Sequence, residues 1–437
     1  AITITVSMIA TMLHGGFNPA PPTLMHIDLN SCFASIEQQA NPRLRGKPVA
    51  VAAYTSGNGC ILAASTEAKQ YGVKTGIRVR DGKALCPGLI VLPSDPWKYR
   101  YVNRKLLSLL REYSSDVEVK SIDEMVVMLE KSPALVRRSA YRHNETLLAV
   151  GQEIKLRIKR DVGDWLTVSV GFAPNRFLAK TAAGLHKPDG LDVIDRDNVE
   201  ETLFAMELED LCGIKHGNSG RLRLCGIRTT RDFYRATPKE LERAFTSIVG
   251  YHWWMRLHGW EIDDREFGRK SFGHSYALYK PYTPHERELH QILSQLVEKM
   301  GRRLRMGNYV AQGIHLSCFF ADGSYWNHGK KLAAPLYAND ELYKASLRVL
   351  LEAPEKPVRI LAVSCFRLSE HLYGQESIFA EDCRKERLTQ ALDTIANRWG
   401  DFVVTSARML SMQQKVLDRI AFGGVKGLEE FIYQDAT

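Results

Sequence analysis

Hydrophobic and polar positions follow different patterns in successive parts of the chain. Up to residue 187, short apolar runs alternate with stretches of helical period, which predicts one mixed α/β unit. From about 200 to 260, short helical stretches are separated by glycines, which predicts a small all-α unit. The charged segment 261–270 is poor in apolar residues, and we interpret it as a linker. Beyond it, the order of helices and strands predicts a small α+β domain with helices on one face of a sheet.

The individual elements can be placed within these parts. In the first part they are a strand at 23–29, a helix capped by Asn30 or Ser31, an apolar run at 47–54, helices at 65–71 and 97–113, strands at 117–121 and 125–129, a helix at 143–160, a strand at 166–172 and a helix through 177–180. In the last part they are a helix at 284–305, strands at 309–320 and 324–332, a helix at 338–352, a strand at 357–368 and a helix at 381–398.

The composition is that of ordinary globular domains. Of 437 residues, 45% are hydrophobic and 25% are charged, which excludes a disordered chain, a fibre and a small disulfide-stapled scaffold. The chain has no apolar run of about 18 residues, so we expect no membrane insertion. Lysine and arginine total 59 against 50 acidic residues, and the resulting charge of +9 mildly favours a polyanionic partner. A surplus of this size is also common in proteins that bind no polyanion.

The cysteines and the N-terminal segment point to a reducing compartment. The eight cysteines stand singly, at positions 32, 60, 86, 212, 225, 318, 365 and 383. Their spacing includes no Cys-x-x-Cys pair and no zinc-ligand pattern, which predicts buried, reduced thiols. Residues 1–23 lack the basic region of a signal peptide and contain a Pro-rich breaker, so we interpret them as an N-terminal extension and expect a cytoplasmic protein.

Three carboxylates stand at the ends of predicted strands. Asp28 ends the first strand, and Asp123 and Glu124 lie between the strands at 117–121 and 125–129. Each alone is most simply a cap or a solvated turn residue, but two adjacent carboxylates repel each other unless water or a cation neutralises them. If the strands are neighbours, the three carboxylates converge at one sheet edge and form a site for Mg²⁺. Two such ions would activate a 3′-hydroxyl and stabilise a pyrophosphate leaving group.

Several short blocks around these carboxylates are recognisable together. They are DLNSCF at 28–33, NP at 41–42 with GKPVAV at 46–51, SIDE at 121–124, FLAKTAA at 177–183, KPDG at 187–190 and RKSFG at 269–273. In this order, and over about residues 24–400, the chain resembles the Y-family DNA polymerases of the DinB-like, polymerase IV-type branch. The resemblance implies a multidomain α/β and α+β fold in the form of a right-hand polymerase. It also implies template-directed DNA synthesis with low fidelity and lesion bypass.

The same resemblance implies a division into palm, fingers, thumb and little finger. The expected parts are an N-terminal extension at 1–23, a palm at 24–31 and 96–187, fingers at 32–95, a thumb at 188–260, a linker at 261–270, a little finger at 271–370 and a C-terminal segment at 371–437. We expect a monomer.

In the family, the first Asp and the Asp and Glu of SIDE hold two Mg²⁺ ions. Carried over, these are Asp28, Asp123 and Glu124, with the backbone carbonyl of Leu29 as a further ligand. Family members often have a second Asp two positions after the first, where this chain has Asn30. We expect an active enzyme, and weaker metal binding or an altered choice between Mg²⁺ and Mn²⁺ as the effect of that departure.

Further residues match positions that contact the incoming nucleotide in the family. Phe33 matches a ring beneath the sugar that would clash with a ribose 2′-hydroxyl, although by itself it reads as a core residue of an amphipathic helix. Thr66 and Lys69 stand where the family usually has Tyr and Arg, so a hydroxyl and a cation remain but the planar guanidinium is lost. Lys180 matches a palm lysine that contacts the triphosphate, and without the family match a solvated helix lysine is the simpler interpretation.

The predicted thumb resembles a helix-hairpin-helix at 211–215 and 226–227. Such hairpins bind DNA phosphates through backbone N–H groups without reading bases. The residues that would do so are Gly213, Ile214, Lys215 and Gly226. Lys215 replaces the small residue usual at its position, and a solvated basic face is the alternative interpretation. Basic residues of the little finger would add salt-sensitive, sequence-independent affinity for primer-template DNA.

A last block follows the predicted little finger. The sequence QESIF at 375–379 is similar to the bacterial sliding-clamp peptide, which implies contact through Gln375, Ile378 and Phe379 with an apolar groove on the clamp. Burial of Ile378 and Phe379 against this chain itself is the alternative. Residues 411–437 match nothing that we assign.

Three functions follow from these observations. The first is a DNA polymerase for damaged DNA, which binds primer-template DNA and dNTPs. The second is a catalytically weakened Y-family relative that acts as a DNA- and clamp-binding scaffold, an alternative that Asn30, Thr66 and Lys69 keep open. The third, another palm-bearing nucleotidyl transferase or cyclase, would not need the hairpin and little-finger regions.

Overall fold

Three β-sheets organise the described part of the computed structural model. The structure describes residues 16–130, 132, 143–264, 268–370 and 380–410. These fall into two compact units that divide near residue 265. No helix in these ranges is long and apolar enough to span a bilayer.

The described strands and helices are as follows. The strands are β1 (Leu24–Leu29), β2 (Val49–Ala52), β3 (Ile61–Ala64), β4 (Ile90–Pro93), β5 (Val117–Val119), β6 (Glu124–Met128), β7 (Val168–Ala173), β8 (Leu191–Val193), β9 (Ser271–Tyr282), β10 (Tyr309–Phe320), β11 (Tyr325–Leu336) and β12 (Val358–Glu370). The helices are α1 (Cys32–Ala40), α2 (Thr66–Gln70), α3 (Val79–Leu85), α4 (Pro96–Arg111), α5 (His143–Asp161), α6 (Arg176–Leu185), α7 (Val199–Phe204), α8 (His216–Leu224), α9 (Thr230–Arg235), α10 (Pro238–Phe245), α11 (Val249–Leu257), α12 (Arg287–Met306), α13 (Asn339–Leu350) and α14 (Ala380–Trp399).

The largest sheet of the first unit has β1 at its centre. Its strand order is β5-β6-β1-β7-β8, and β1 pairs antiparallel with both β6 and β7. Alternate residues of β1 enter different cores, because Met25 and Ile27 pack in one cluster with α4 and α5 while Leu24 packs in another with α6. The strands on which the carboxylate prediction depended are therefore neighbours.

Two further parts complete the first unit. A small sheet in the order β3-β2-β4 has its own core, in which Ile61 and Val79 are buried. Helices α7 to α11 contain no strand between residues 199 and 257, in agreement with the predicted all-α pattern. Their core includes the buried rings of Phe233 and Trp253. In the segment predicted as a linker, Glu261 pairs with Arg176 at 3.1 Å, so its beginning is attached to this unit.

The second unit is an α+β arrangement, as the sequence predicts. Its sheet has the order β11-β10-β12-β9, and α12 and α13 contribute to a common core with it. Helix α14 is joined to α12 by a bidentate pair between Arg305 and Asp393 at 2.5 and 2.7 Å. Because the Arg305 side chain is only 3% exposed, this pair is a buried attachment of the last helix.

The sequence analysis missed four strands, β3, β4, β8 and β9. The 12-residue β9 is the largest omission, and it lies at the edge of its sheet. Only Phe272 and Leu278 in it are buried, so the apolar alternation that marks a half-buried strand is absent. The other three strands are only three or four residues long.

Candidate active site

The end of β1 carries the first part of the site. The register of β1 and β6 sets Asp28 directly opposite Glu124. The backbone N–H of Leu29 donates a hydrogen bond to the carbonyl of Asp123 at 2.9 Å, which ties the turn before β6 to the same end of β1. The three predicted carboxylate residues thus lie at one end of the sheet, and of the three only Asp28 and Glu124 belong to a group of ligand atoms within 4.8 Å of one another.

Two lysines hold two of these carboxylates. Nζ of Lys187 lies 2.6 Å from Oδ2 of Asp28. Nζ of Lys180 lies 2.7 Å from both carboxylate oxygens of Glu124. Each of these two carboxylates therefore already pairs with a positively charged group, as it would with a bound metal cation.

Burial affects the titration of all three carboxylates. It raises the pKa of Asp28 to about 6, although Lys187 opposes the shift. It also raises the pKa of Asp123. At Glu124 burial acts in the same direction, but the hydrogen bonds and charge of Lys180 outweigh it and hold the pKa below its usual value. A cation that replaced the lysines would relieve the cost of burying these charges.

The sequence analysis overlooked His26, which lies two residues before Asp28 in β1. One ligand atom each of His26, Asp28 and Glu124 lie within 4.8 Å of one another, close enough for one cation. Nε2 of His26 is buried without a hydrogen-bond partner, and burial lowers the pKa of the ring to about 4. The strand period of two, which places His26 and Asp28 on one face, is the signal that would have found it.

Asn30, which stands where the family often has Asp, attaches the KPDG loop to the end of β1. Its Nδ2 donates to Oγ of Ser169 at 2.9 Å, and its Oδ1 accepts from the backbone N–H of Asp189 at 2.8 Å. The side chain is buried. Both polar atoms of the side chain are therefore engaged, one with β7 and one with the loop that carries Lys187.

A cavity of about 650 Å³ opens beside the carboxylates. The predicted metal- and nucleotide-binding residues that line it are Asp28, Leu29, Phe33, Thr66, Lys69 and Asp123. Lys187 also lines the cavity, whereas Lys180 is not among its lining residues. The KPDG block contained the signal for Lys187, but the sequence analysis gave that lysine no role.

Thr66 and Lys69 lie on α2 and line the same cavity as Asp28. Nζ of Lys69 donates to Oγ of Ser31 at 2.8 Å. Burial and the nearby Lys187 ammonium both lower the pKa of Lys69. Ser31 precedes α1 as predicted, but at φ 50° its side chain makes no capping hydrogen bond and accepts from Lys69 instead. Two ammonium groups thus face one cavity, an arrangement suited to a polyanionic ligand.

The predicted hairpin of the thumb forms a tight turn before α8. Gly213 has φ +92°, and an added Cβ would lie 3.1 Å from the ring of Trp253, so glycine is required there. Ile214 is buried, and α8 begins directly after Lys215. Gly226 follows α8 with φ +84°. The turn geometry is compatible with a hairpin despite Lys215, and its contact with phosphate stays a prediction.

The remaining predicted sites lie in the second half of the chain. The sequence predicts basic residues of the little finger at the DNA without naming them, and the structure shows Lys280, Lys331 and Arg359 as exposed cations on strands of the second unit. Gln375, Ile378 and Phe379, predicted to bind a sliding clamp, lie outside the described residues.

Comparison with known proteins identifies the family of the chain. The model of the impB/mucB/samB family matches residues 27–184, and the model of that family's C-terminal domain matches residues 269–378. The chain is 32% identical over 391 residues to DNA polymerase IV of Pelotomaculum thermopropionicum, covering 88% of this chain and 94% of that one. It is 33% identical over 399 residues to DNA polymerase IV of Moorella thermoacetica, covering 89% and 96%.

The fold of the chain is similar to that of a solved structure. A Y-family DNA polymerase chimera of Dbh and Dpo4 superposes with a TM-score of 0.68 at 25% identity, over 79% of this chain and 98% of the chimera. The chain belongs to the impB/mucB/samB family, the DinB-like Y-family polymerases. It is a DNA-directed translesion DNA polymerase with the predicted right-hand fold class, and a non-catalytic scaffold is not favoured.

Proposed function

We propose that this polymerase extends a DNA primer by template-directed, two-metal-ion transfer of nucleotides from dNTPs. The observation that carries the proposal is the register that sets Asp28 opposite Glu124, with Asp123 beside the same strand end. The same end of the sheet borders a cavity large enough for a nucleotide. The carboxylates that would bind the metal ions therefore stand beside the cavity that would bind the nucleotide, as two-metal-ion transfer requires.

Asp28, Asp123, Glu124 and the Leu29 carbonyl would hold two Mg²⁺ ions. The donors fit, since hard cations prefer oxygen ligands and the buried carboxylates already draw ammonium groups to 2.6 and 2.7 Å. Bound Mg²⁺ would supply charge stabilisation at the attacking 3′-oxygen and at the leaving pyrophosphate. Carboxylate and carbonyl oxygens also suit Mn²⁺, which we expect to substitute for Mg²⁺.

The nucleotide would lie between the carboxylates and α2. Lys69 and Lys187 would pair with its triphosphate, and the Thr66 hydroxyl would add a hydrogen bond. Phe33 would stand beneath the sugar and exclude a 2′-hydroxyl. Lys180 orients Glu124 through two hydrogen bonds, and a contact between Lys180 and the triphosphate stays a prediction.

Primer-template DNA would contact the thumb turn through backbone groups of Gly213, Ile214, Lys215 and Gly226. The exposed cations of the second unit would add affinity without reading sequence. An open site that checks base-pair shape poorly would give low fidelity.

We further propose that the protein is a cytoplasmic monomer. Light scattering after size-exclusion chromatography tests the oligomeric state, and the mass of a single chain is expected.

Primer extension tests the catalytic proposal. Wild-type protein in Mg²⁺ should add dNTPs to a primed template, and Glu124→Gln should lower the rate by about a thousandfold or more, since one metal ligand loses its charge. Glu118→Gln is the matched control, because Glu118 lies in the same sheet but pairs with Arg176 at 3.2 Å. Loss of extension in both variants would contradict the proposal. No extension by wild type in Mg²⁺ or Mn²⁺, with DNA binding intact, would favour the scaffold.

A clamp partner is tested separately. We propose that Gln375, Ile378 and Phe379 bind a bacterial sliding clamp. Replacing Ile378 and Phe379 together with Ala should abolish stimulation by the clamp and leave clamp-independent extension unchanged, because an apolar pair supplies most of such peptide contacts. Equal stimulation of wild type and variant would disprove this role.

A further inference from the structure

The ring predicted to select the sugar is packed against a second aromatic ring. Phe33 of α1 stacks on Tyr99 of α4, with ring centroids 4.2 Å apart and planes inclined by 14°. Tyr99 is fully buried, and Phe33 lines the cavity. The position of the Phe33 ring at the cavity wall therefore depends on where Tyr99 is held.

The hydroxyl of Tyr99 is fixed by hydrogen bonds on two sides. It donates to Oε1 of Glu37 at 3.0 Å and accepts from the backbone N–H of Asp95 at 3.1 Å. The second oxygen of Glu37 accepts from Nζ of Lys98 at 2.8 Å. Burial raises the pKa of Tyr99 well above its usual range, so the hydroxyl stays protonated and remains a donor.

The spacing of residues in α1 connects the two contacts. Phe33 and Glu37 are four residues apart in one helix and so occupy neighbouring positions on one face. Both contact Tyr99, Phe33 through the ring and Glu37 through the hydroxyl. Glu37 itself is buried, where a carboxylate without hydrogen-bond partners would be costly. The buried Glu37 side chain therefore lies where it accepts the hydrogen bond that holds the Tyr99 hydroxyl.

We propose that Glu37 and Tyr99 are positioning residues for sugar selection: together they hold the Phe33 ring where a ribose 2′-hydroxyl would clash with it. This inference rests on the proposed role of Phe33. A Phe33 ring displaced by a fraction of an ångström admits the 2′-oxygen of a ribonucleotide, whereas binding of a deoxyribonucleotide is unaffected. The expected signature is a selective gain in ribonucleotide use at nearly constant deoxynucleotide use.

The test compares kcat/KM for a dNTP with kcat/KM for the matching rNTP. Tyr99→Phe, which keeps the ring and removes the hydroxyl, should lower the dNTP-to-rNTP ratio by about three- to tenfold, because small displacements near a reacting sugar have large rate effects. Tyr113→Phe is the matched control. Tyr113 is buried in the same core and donates to Glu153 at 2.8 Å. It should lower the thermal midpoint similarly and leave the ratio unchanged.

A second pair of variants tests Glu37. Glu37→Ala removes the acceptor and should lower the ratio as Tyr99→Phe does. Glu37→Gln retains an acceptor oxygen for the Tyr99 hydroxyl and should restore most of the selectivity. In a Phe33→Ala background, Tyr99→Phe should cause no further change, because no ring is left to hold.

The outcomes separate this inference from the proposal on which it rests. If Phe33→Ala leaves the ratio unchanged, the gate itself is disproved, and the inference with it. If Phe33→Ala lowers the ratio but Tyr99→Phe does not, Phe33 remains the gate and the inference is overturned. A ratio that falls equally in Tyr113→Phe would also overturn it, since general loosening of the core would then be the cause.

Discussion

The carboxylate side and the nucleotide side of one cavity are built on different scaffolds. Asp28 and Glu124 stand opposite each other at one end of the paired strands β1 and β6 of a five-stranded sheet, and Asp28 and Asp123 line the cavity there. Thr66 and Lys69 lie on α2, a five-residue helix that follows the edge strand of a three-stranded sheet. A one-residue slip of β1 would exchange the residues that it contributes to its two different cores, so register is strongly specified on the carboxylate side. A helix of five residues has no comparable intrinsic stability.

The departures from the family that the sequence resemblance implies fall on both sides. The resemblance implies that the three carboxylates are kept with Asn30 as the one departure beside them, whereas Thr66 and Lys69 stand where Tyr and Arg are usual. Two-metal chemistry needs ligands at fixed separations, which the sheet register provides. A triphosphate needs positive charge nearby, which a flexible lysine supplies as well as a fixed guanidinium does, though with less orientation.

Removal of Lys187 should have opposite effects on the carboxylate side and the nucleotide side, because its ammonium group pairs with Asp28 and also lines the cavity. Lys187→Ala should raise KM for dNTP by about a hundredfold, as expected when one partner of a close charge pair is lost. The same variant should bind Mg²⁺ more tightly in the absence of nucleotide, since Asp28 loses its competing cation. Single-nucleotide kinetics and calorimetric metal titration measure the two effects.

Lys159→Ala is the control for that prediction. Lys159 pairs with the neighbouring Asp189 at 3.2 Å, and it is not among the cavity's lining residues. Its KM should stay within about twofold of wild type, as is usual for an exposed pair. If the two variants behave alike, the effect comes from the loop and Lys187 has no direct part in nucleotide binding.

Much of the fold could be predicted because its elements are strongly periodic or strongly apolar. The strand at 309–320 is observed at those residues, and the carboxylate-bearing strand differs from prediction by one residue. The missed β9 has mostly exposed residues, and it is defined by pairing with β12. Pairing between distant segments leaves no local pattern, so such a strand needs the tertiary structure to be identified.

The candidate site was predictable to the same extent. That Asp28, Asp123 and Glu124 lie close together could be predicted because they flank apolar strands and stand in blocks that resemble the family. The role of Asn30 could not, since its partners Ser169 and Asp189 are more than 130 residues away. Likewise, only the folded chain shows that Lys187 lines the cavity while Lys180 stays on Glu124.

The pH dependence of metal binding tests the carboxylate side alone. The pKa of Asp28 is raised to about 6, so below that pH the carboxyl holds a proton that a cation must displace. Mg²⁺ affinity should therefore fall by about tenfold per pH unit below pH 6 and level off above it. Asp28→Asn should bind more weakly and lose this slope down to pH 5. Calorimetry between pH 5 and 8 measures it, and a flat wild-type profile would remove Asp28 from the ligand set.

Asn30→Asp should have the smallest effect on activity. It tests whether the residue at position 30 affects metal binding. One carboxylate oxygen would still accept from the N–H of Asp189, and the Ser169 hydroxyl can rotate to donate to the other. Activity in Mg²⁺ should therefore stay within about threefold of wild type, with a slightly lower thermal midpoint because a charge is buried. Asn30→Ala should lower activity further, since the loop that carries Lys187 loses its hydrogen bond to the Asn30 side chain. A tenfold or larger gain in Mg²⁺ affinity in Asn30→Asp would show instead that this side chain belongs to the carboxylate side.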